Sequence, residues 1–370
     1  MTNPSHAGSL LTVDLAAIVA NWRLIAQGVA PAKVAAVVKA DAYGLGAARV
    51  APALAAAGCD TFVVATLDEG IALRTVLPEP VIFVLNGPLP GTEGEFLAHA
   101  LIPVLNSLGQ LTSWANFARA GSGAPAAALH IDTGMNRLGI DELELERLAG
   151  RPDVLARVRP VLALSHLACA DERTHPMNAE QLARFTRLAG QLPAMPMSLA
   201  ASGGCFLGRA FHFDMVRPGA ALYGLNPTPD RPNPMAQVVR LQGKILQVRD
   251  VDSPRTVGYG ATHRVTGPGR IATVAVGYAD GWFRSLGNRG HAMLGGVKVP
   301  LVGRVSMDLA CFDVSALPLE IAHPGALVDL IGPGQTVDDV AAEAGTIGYE
   351  ILTALGARHH RRWISGEDAA

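Results

Sequence analysis

The chain has 370 residues, of which 49% are hydrophobic and 17% charged, and its formal net charge is −2. This length and composition predict two domains with a large apolar core and exclude an intrinsically disordered chain. The balanced charge argues against nucleic-acid binding or a polybasic membrane surface, and no stretch reaches the roughly 20 apolar residues of a membrane span.

Cysteine usage and the N-terminus indicate the compartment. The four cysteines lie far apart without a CxxC pair, so we expect reduced thiols rather than a disulfide framework. The first residues lack the basic and apolar regions of a secretory signal. We therefore predict a cytoplasmic protein with no bound metal and no nucleic-acid or membrane partner.

Short apolar runs alternate with helical patterns over the first 224 residues. The runs cover residues 34–38, 62–65, 81–85, 102–105, 126–131, 161–165, 197–200 and 215–223, and helical patterns cover 46–57, 67–76, 142–149 and 179–188. Eight strands alternating with helices predict an α/β fold, a (β/α)8 TIM-type barrel. An open doubly wound sheet is disfavoured because no GxGxxG loop opens a helix.

The composition changes after a proline-rich linker at residues 227–234. Strand-like segments follow at 238–251, 270–276, 297–301, 309–314 and 326–330, and short helices are predicted at 337–344 and 349–355. We predict a barrel domain over residues 1–228 and a mostly-β domain over residues 229–370. The basic tail at residues 358–362 is typical of a solvated terminus.

Lys39 is the first candidate for chemistry, because it ends the first apolar run just before a turn with Tyr43, Gly44 and Gly46. A desolvated lysine has a lowered pKa that suits Schiff-base formation. The glycines free the backbone, so that a hydroxyl and open amides can approach a phosphate. The alternative is a lysine that merely flanks a barrel strand.

The whole string over residues 36–46, Ala-Val-Val-Lys-Ala-Asp-Ala-Tyr-Gly-Leu-Gly, resembles the pyridoxal phosphate (PLP) lysine motif of alanine racemases. Further family motifs come after it in order, so that the resemblance covers roughly residues 9 to 365. They are Asp-Thr-Gly-Met-Asn-Arg-Leu-Gly (132–139), Ser-His-Leu-Ala (165–168), Val-Arg-Pro-Gly (216–219), Thr-Val-Gly-Tyr-Gly (256–260), Val-Gly-Tyr-Ala-Asp-Gly (276–281) and Gly-Arg-Val-Ser-Met-Asp (303–308).

The resemblance implies a role for each matching residue. Lys39 and Tyr259 would be the two catalytic bases, on opposite faces of the substrate. The cofactor would be held by Lys39, Tyr43, His166, Ser202, Arg217, Gly219, Ala220 and Tyr349. Arg137 and Met307 would bind the substrate carboxylate, and Tyr278 and Asp308 would line the entrance. Tyr259 and Met307 would come from the partner subunit, which implies a homodimer with shared active sites.

Arg217 bears on the type of reaction that the resemblance implies. It would face the pyridine nitrogen of PLP, and because arginine is always protonated, that nitrogen would stay unprotonated. PLP enzymes that use the full electron sink place a carboxylate there instead. An arginine suits an enzyme that returns a proton to the same carbon, and it argues against a decarboxylase.

The chain departs from the family pattern at two positions. Many members carry a carbamylated lysine, braced against the arginine, where this chain has His130. A neutral imidazole, a water or an anion would then take the place of the carbamate. The asparagine that often precedes Ser202 is Ala201 here, so one polar contact to the phosphate is lost.

The expected activity is therefore interconversion of L-alanine and D-alanine through a substrate–PLP Schiff base, supplying D-alanine for peptidoglycan. A racemase of broader specificity, or one directed to serine, is the nearer alternative, since a small pocket rejects one extra hydroxyl poorly. A non-catalytic PLP-binding barrel is the remote alternative, and such a protein would lack the second domain and Tyr259.

Overall fold

A computed structural model describes residues 5–119 and 125–365 of the chain. The described residues form two compact units. The barrel unit contains residues 18–119, 125–222 and 226–235, and the β unit contains residues 5–17, 223–225 and 236–365. Among the described residues, none of the helices combines the length and apolar character needed to cross a membrane.

Helices and strands alternate through the first part of the chain. In chain order they are β1 (Ser9–Asp14), α1 (Leu15–Val29), β2 (Lys33–Val34), β3 (Ala36–Val37), α2 (Lys39–Tyr43), α3 (Ala47–Ala56), β4 (Thr61–Val64), α4 (Leu67–Arg74), β5 (Val81–Val84), α5 (Glu93–Ala98), β6 (Ile102–Leu105), α6 (Leu108–Phe117), β7 (Ala127–His130), α7 (Glu142–Ala149), α8 (Pro152–Val158), β8 (Pro160–Leu164), α9 (Pro176–Ala189), β9 (Met197–Ser198) and β10 (Met215–Val216).

The strands of the barrel unit close on themselves. Seven pair in the order β3-β4-β5-β6-β7-β8-β9, all in parallel, and β10 pairs in parallel with β2. Arg217 N donates a hydrogen bond to Ala200 O (2.9 Å) and so joins β10 to the end of β9. Since only Ala35 separates β2 from β3, the described strands form an eight-stranded parallel barrel. The predicted (β/α)8 fold is confirmed.

The barrel strands are buried on both faces, which explains why the sequence shows them as continuous apolar runs. Phe62, Ile82, Val104, Ala128 and Val216 have no exposed surface. Residues just beyond the strands converge on one mouth, because the carboxyl ends of parallel barrel strands all open on the same side.

The β unit is built around one long strand. Its elements are β11 (Val239–Val251), β12 (Thr256–Val257), β13 (His263–Arg264), β14 (Gly269–Val274), β15 (His291–Leu294), β16 (Val297–Pro300), β17 (Ala310–Asp313), β18 (Leu327–Ile331), α10 (Val337–Ala344), α11 (Gly348–Ala354) and β19 (His360–Ile364). Strand β11 runs antiparallel to β1, β14 and β18. The sheet has the order β16-β15-β18-β11-β1-β19, which confirms the mostly-β C-terminal region.

Strand β1 is absent from the sequence prediction. Ser9 pairs opposite Gly243 of β11, and Leu10 pairs opposite His360 of β19. Residues 5–17 therefore belong to the β unit, although the predicted barrel domain includes them. The domain boundary between residues 228 and 229 stays a prediction.

Two predictions of local structure are wrong. The run over 215–223 is a strand only at Met215–Val216, because Pro218 has no N–H to donate and Ala220–Tyr223 forms a 3-10 helix. The tail at 358–362 is not a solvated terminus, because His360–Ile364 pairs in parallel with β1.

Candidate active site

Lys39 lies two residues beyond β3, at the mouth of the barrel. The next four residues, Ala40 to Tyr43, have φ values between 52° and 54° and form a left-handed turn. Left-handed backbone costs non-glycine residues roughly 1–2 kcal/mol each, so the surroundings must hold the turn. Gly44 N donates to Ala40 O (2.7 Å), and Glu69 Oε1 accepts a hydrogen bond from Ala40 N (2.8 Å).

The electrostatic surroundings of Lys39 lower the pKa of its ammonium group. Burial is the largest cause, because the charged form loses hydration, and repulsion from Arg137 adds to it. The carboxylate of Glu69 partly opposes the shift. A lysine with a lowered pKa has a larger fraction of free amine at neutral pH, and free amine is the form that attacks a carbonyl.

Arg217 follows β10 directly and is 5% exposed. Its guanidinium donates hydrogen bonds to Ser198 Oγ and to Ser165 O, the latter at 2.5 Å. Among the described residues it has no carboxylate in ion-pair contact. Burial lowers the pKa of Arg217 to about 10, so the group is still a cation at neutral pH.

Two histidines near these cations are neutral. Burial, followed by repulsion from Arg217, lowers the pKa of His166 to about 3. The same two causes lower the pKa of His130 to about 4. Arg137 and Lys39 also act on His166, which places all three cations around this one imidazole.

Asn106 fixes the tautomer of His130. Its Nδ2 donates to Leu85 O (2.8 Å) and Val104 O (2.9 Å), so its Oδ1, 2.7 Å from His130 Nδ1, is the acceptor. Neutral His130 therefore carries its hydrogen on Nδ1 and keeps Nε2 as an acceptor. This position holds a neutral acceptor, whereas a carbamate would be an anion.

Arg137 lies on the loop that comes after β7. Asp132 organises this loop, because its Oδ1 accepts the backbone N–H groups of residues 134–136 at 2.9–3.2 Å. Thr133 Oγ1 lies 2.8 Å from Ser165 Oγ, and the carbonyl of Ser165 is the group that accepts from the buried guanidinium at the end of β10. Hydrogen bonds through Ser165 therefore connect this loop to Arg217.

Hydroxyl groups gather where β10 ends. Ser202 Oγ accepts the N–H groups of Gly219 (3.0 Å) and Ala221 (3.2 Å), so its own hydrogen is left to donate. The Ala220 N–H has no partner among the described residues. A Cβ at Gly219 would overlap the Tyr43 hydroxyl, so this hydroxyl lies against the backbone of Gly219. The arrangement is typical of a phosphate site, although the Gly219 N–H is already bonded to Ser202.

The remaining candidates lie in the β unit. Tyr259 is 72% exposed on a turn between Gly258 and Gly260, which both have a φ of 70°. A Cβ at Gly260 would lie 2.9 Å from Arg304 Nη1, so the arginine covers this turn. The glycines hold a conformation that ordinary side chains disfavour, and they leave the tyrosine projecting from the unit.

Tyr278 and Met307 lie on two adjoining loops of the same unit. Tyr278 N donates to Ser306 O and Ala279 N donates to Met307 O, both at 3.0 Å. Asp308 is the next residue on the second loop. Tyr349 lies in the first turn of α11 and is 45% exposed. The structure therefore brings the predicted barrel residues together at one mouth, and it brings Tyr278, Met307 and Asp308 together on the β unit.

Comparison with known proteins decides the family. The model of the alanine racemase N-terminal domain matches residues 13–227, and that of the C-terminal domain matches residues 238–363. An alanine racemase from Rhodospirillum rubrum is 56% identical over 366 residues, which is 98% of each chain. One from Brucella abortus is 49% identical over 97% of this chain and 94% of its own length.

This chain belongs to the alanine racemase family. Solved structures of family members superpose closely on it. An alanine racemase from Bartonella henselae, with covalently bound pyridoxal phosphate, has a TM-score of 0.94 at 42% identity and covers 97% of this chain and 100% of its own. The biosynthetic alanine racemase from Pseudomonas aeruginosa has a TM-score of 0.90 at 37% identity, over 97% and 99% of the two chains.

Several polar residues of the site were given no role from the sequence. Ser165 and Ser198 contact Arg217 from inside apolar runs, where an isolated serine was an available signal. Asn106 comes directly after a predicted strand, which was a second available signal. Gln181 donates to Thr133 Oγ1 (3.0 Å) from the middle of α9, and no sequence signal marks it.

Proposed function

We propose that this chain is a PLP-dependent alanine racemase that interconverts L-alanine and D-alanine, with Lys39 and Tyr259 as its two bases. The observation that carries the proposal is the buried guanidinium of Arg217, which shares its barrel mouth with a lysine of lowered pKa. In the division of roles, residues 1–228 hold the cofactor and residues 229–370 supply the second base.

The residues of the barrel mouth fit PLP. A buried cation without a carboxylate partner matches a neutral ring nitrogen, which accepts a hydrogen bond without carrying charge. The free hydrogen of Ser202 and the N–H of Ala220 match phosphate oxygens, together with Tyr43. Bound there, PLP draws electrons from the substrate α-carbon and so makes its hydrogen acidic.

Arg217 limits how far that effect goes. It stays protonated at neutral pH, so it would donate to the ring nitrogen of bound PLP and keep that nitrogen without a proton. A weaker electron sink favours return of the proton to the α-carbon over transfer elsewhere. His166, neutral because of its surroundings, would pack on the ring without adding charge.

The substrate carboxylate has two groups to receive it. Arg137 supplies a planar fork of donors, and it forms no ion pair among the described residues. The Met307 N–H has no hydrogen-bond partner within residues 5–119 and 125–365. Tyr278 and Asp308 line the entrance, and Tyr349 contributes to phosphate binding.

The two bases act on opposite faces of the α-carbon. Lys39 removes the hydrogen of D-alanine, for which its lowered pKa supplies free amine. Tyr259 removes the hydrogen of L-alanine. Each base returns a proton when the reaction runs the other way, so a full turnover needs both residues.

We infer that the enzyme is a homodimer whose subunits share active sites. Support comes from the β unit, which exposes large apolar side chains. Tyr259, Met307 and Ile347 are 72%, 54% and 61% exposed, and exposed apolar groups of this size mark interaction surfaces. Tyr259 and Met307 would enter the site of the partner subunit.

A cytoplasmic location and a role in peptidoglycan supply complete the proposal. All four cysteines are free, and Cys59 and Cys205 are buried. Burial raises the pKa of Cys205 to about 12, so this thiol stays protonated and inert. Free cysteines are typical of proteins from a reducing compartment.

The test is a set of initial rates for purified protein with L-alanine, L-serine and larger L-amino acids, measured as formation of the D-enantiomer. We expect alanine to have the highest kcat/KM. A higher value for serine would redirect the enzyme to serine, and no racemisation of any substrate by protein loaded with PLP would refute the proposal.

Isotope exchange tests the division between the bases. In Tyr259→Phe we expect the α-hydrogen of D-alanine to exchange with deuterated water while that of L-alanine hardly exchanges. Loss of a general base typically costs 10²- to 10⁴-fold, so the asymmetry is measurable. Equal exchange from both enantiomers would show that one base serves both faces.

A further inference from the structure

Arg358, in the basic tail, connects the two loops that carry the entrance residues. Its Nε and Nη2 donate to the two oxygens of Asp280 at 2.7 and 2.8 Å. Its Nη1 donates to Asp308 Oδ1 at 2.7 Å. One guanidinium therefore binds a carboxylate from each loop.

Asp280 holds the Arg358 guanidinium in place. Its side chain is 4% exposed, and its Oδ2 also accepts the N–H of Gly277 (2.9 Å). Burial alone would raise the pKa of Asp280, but hydrogen bonds from Arg358 and Gly277 outweigh it, and the net shift is downward. The carboxylate stays charged, so it anchors the guanidinium.

Asp308 is the second carboxylate that Arg358 binds. It directly follows Met307, whose N–H has no hydrogen-bond partner within the described residues. The carbonyl side of Met307 is fixed, since Ala279 N donates to its oxygen (3.0 Å) and a Cβ at Gly277 would overlap that oxygen. The pair between Arg358 and Asp308 adds a restraint just beyond Met307.

We propose that Arg358 is a positioning residue that holds the Met307–Asp308 segment so that the Met307 N–H meets the substrate carboxylate. The inference rests on the proposed racemase function and adds a residue to it. Arginine suits the task because its planar fork places donors in two directions. A lysine presents a point charge that cannot bind both oxygens of Asp280 and also reach Asp308 in the same geometry.

The first test is Arg358→Lys, which keeps the charge and removes the fork. A contact made equally in the ground state and the transition state changes KM and leaves kcat. We expect KM for alanine to rise roughly tenfold, the effect of weakening one charge-assisted hydrogen bond. We expect kcat to stay within about twofold.

Arg362→Lys is the matched control. Arg362 belongs to the same tail and is exposed, and its side chain makes no hydrogen bond or ion pair among the described residues. The KM of the Arg362→Lys variant should equal that of the wild-type enzyme. A purely structural role for Arg358 would lower the melting temperature and the amount of active enzyme, and it would leave KM unchanged, which would overturn the proposal.

Asp308→Asn provides a second route that leaves the Asp280 anchor intact, in case Arg358→Lys does not fold. The Arg358–Asp308 pair is half exposed on both sides, and exposed pairs contribute at most about 1 kcal/mol. We expect a KM increase of about two- to fivefold. Faster amide hydrogen exchange over residues 303–309 should accompany it, and unchanged exchange with unchanged KM would refute the proposal.

The double variant separates this coupling from a direct effect of Asp308 on substrate. If Arg358 acts through Asp308, the KM of Arg358→Lys/Asp308→Asn should equal that of Arg358→Lys alone. Fully additive effects would overturn the proposal. If the wild-type enzyme does not racemise alanine, the proposed function itself is refuted. Failure of the proposed function is therefore distinguishable from failure of the role assigned to Arg358.

Discussion

Gly219→Ala is the most informative single change, because it adds one methyl group at the predicted phosphate site. A Cβ at this position would overlap the Tyr43 hydroxyl oxygen and would lie 3.0 Å from its Cζ. Tyr43 is 7% exposed and is the last residue of the left-handed turn, so its ring has little room to move. The hydroxyl must therefore leave the place where we expect it to contact phosphate.

The cost results from overpacking, which is typically about 1–3 kcal/mol for an added methylene in a packed region. If the bound state bears this cost, the Kd for PLP rises by about 5- to 150-fold. The assay is titration of cofactor-free protein with PLP, followed by absorbance of the lysine-bound cofactor and by the melting temperature.

Two further variants make the outcome decisive. Gly28→Ala is the control, because a Cβ at Gly28, in α1, would meet no neighbouring atom within 4 Å, and it should leave the Kd unchanged. Adding Gly219→Ala to Tyr43→Phe removes the overlapping oxygen, so the added methyl should then cost much less. An unchanged Kd for Gly219→Ala would refute the assignment of Tyr43 and Gly219 to the phosphate site.

Three further predictions address the lysine, the dimer and the imidazole of His130. Borohydride reduction of the PLP-loaded protein should fix the pyridoxyl group on the peptide containing Lys39, and a label on another lysine would contradict the assignment. Mixed dimers of Lys39→Ala and Tyr259→Phe chains should regain about half of the active sites, because one of two composite sites is intact; no recovery despite subunit exchange would place both bases in one subunit. The folded-state pKa of His130, about 4, lies below its ordinary value of about 6.5, so the unfolded chain binds more protons between these values and the free energy of unfolding should fall as pH drops from 6.5 towards 5. Denaturant titrations should show a shallower decline for His130→Gln, and equal slopes would count against a neutral imidazole at His130 in the folded state.

The barrel was predictable because each strand is a local apolar run, and the strand edges moved by only one or two residues where the run was uninterrupted. Strand β1 was not predictable in the same way. Its partners are Gly243 and His360, and a pairing over more than 200 residues leaves no trace in a local pattern. The same lack of local signal explains why the sequence predicts a solvated tail where the structure has β19.

In the candidate site, too, some residues were predictable from local sequence and others were not. Lys39, Arg137 and Arg217 lie just beyond the ends of strands, and parallel strands bring such residues to one mouth. Their partners are a different case, since Ser198 and Gln181 act through bonds that depend on how buried groups pair after packing. Which buried polar groups form hydrogen bonds with each other is decided only in the folded structure. The sequence therefore indicates the functional groups, but it does not indicate which residues hold them in place.

The charges of the barrel mouth explain why the site needs its ligands. Lys39, Arg137 and Arg217 all act on one neutral imidazole, that of His166. The nearby carboxylates of Glu69 and Asp132 are committed to backbone N–H groups. These two carboxylates offset only part of the three positive charges, and no ion pair joins Lys39, Arg137 or Arg217 to a carboxylate within the described residues. Arg217 is the buried one of the three, and a buried charge without a partner is costly. A phosphate and a carboxylate would supply the remaining negative charge, so this arrangement favours a cofactor and a substrate that are both anions.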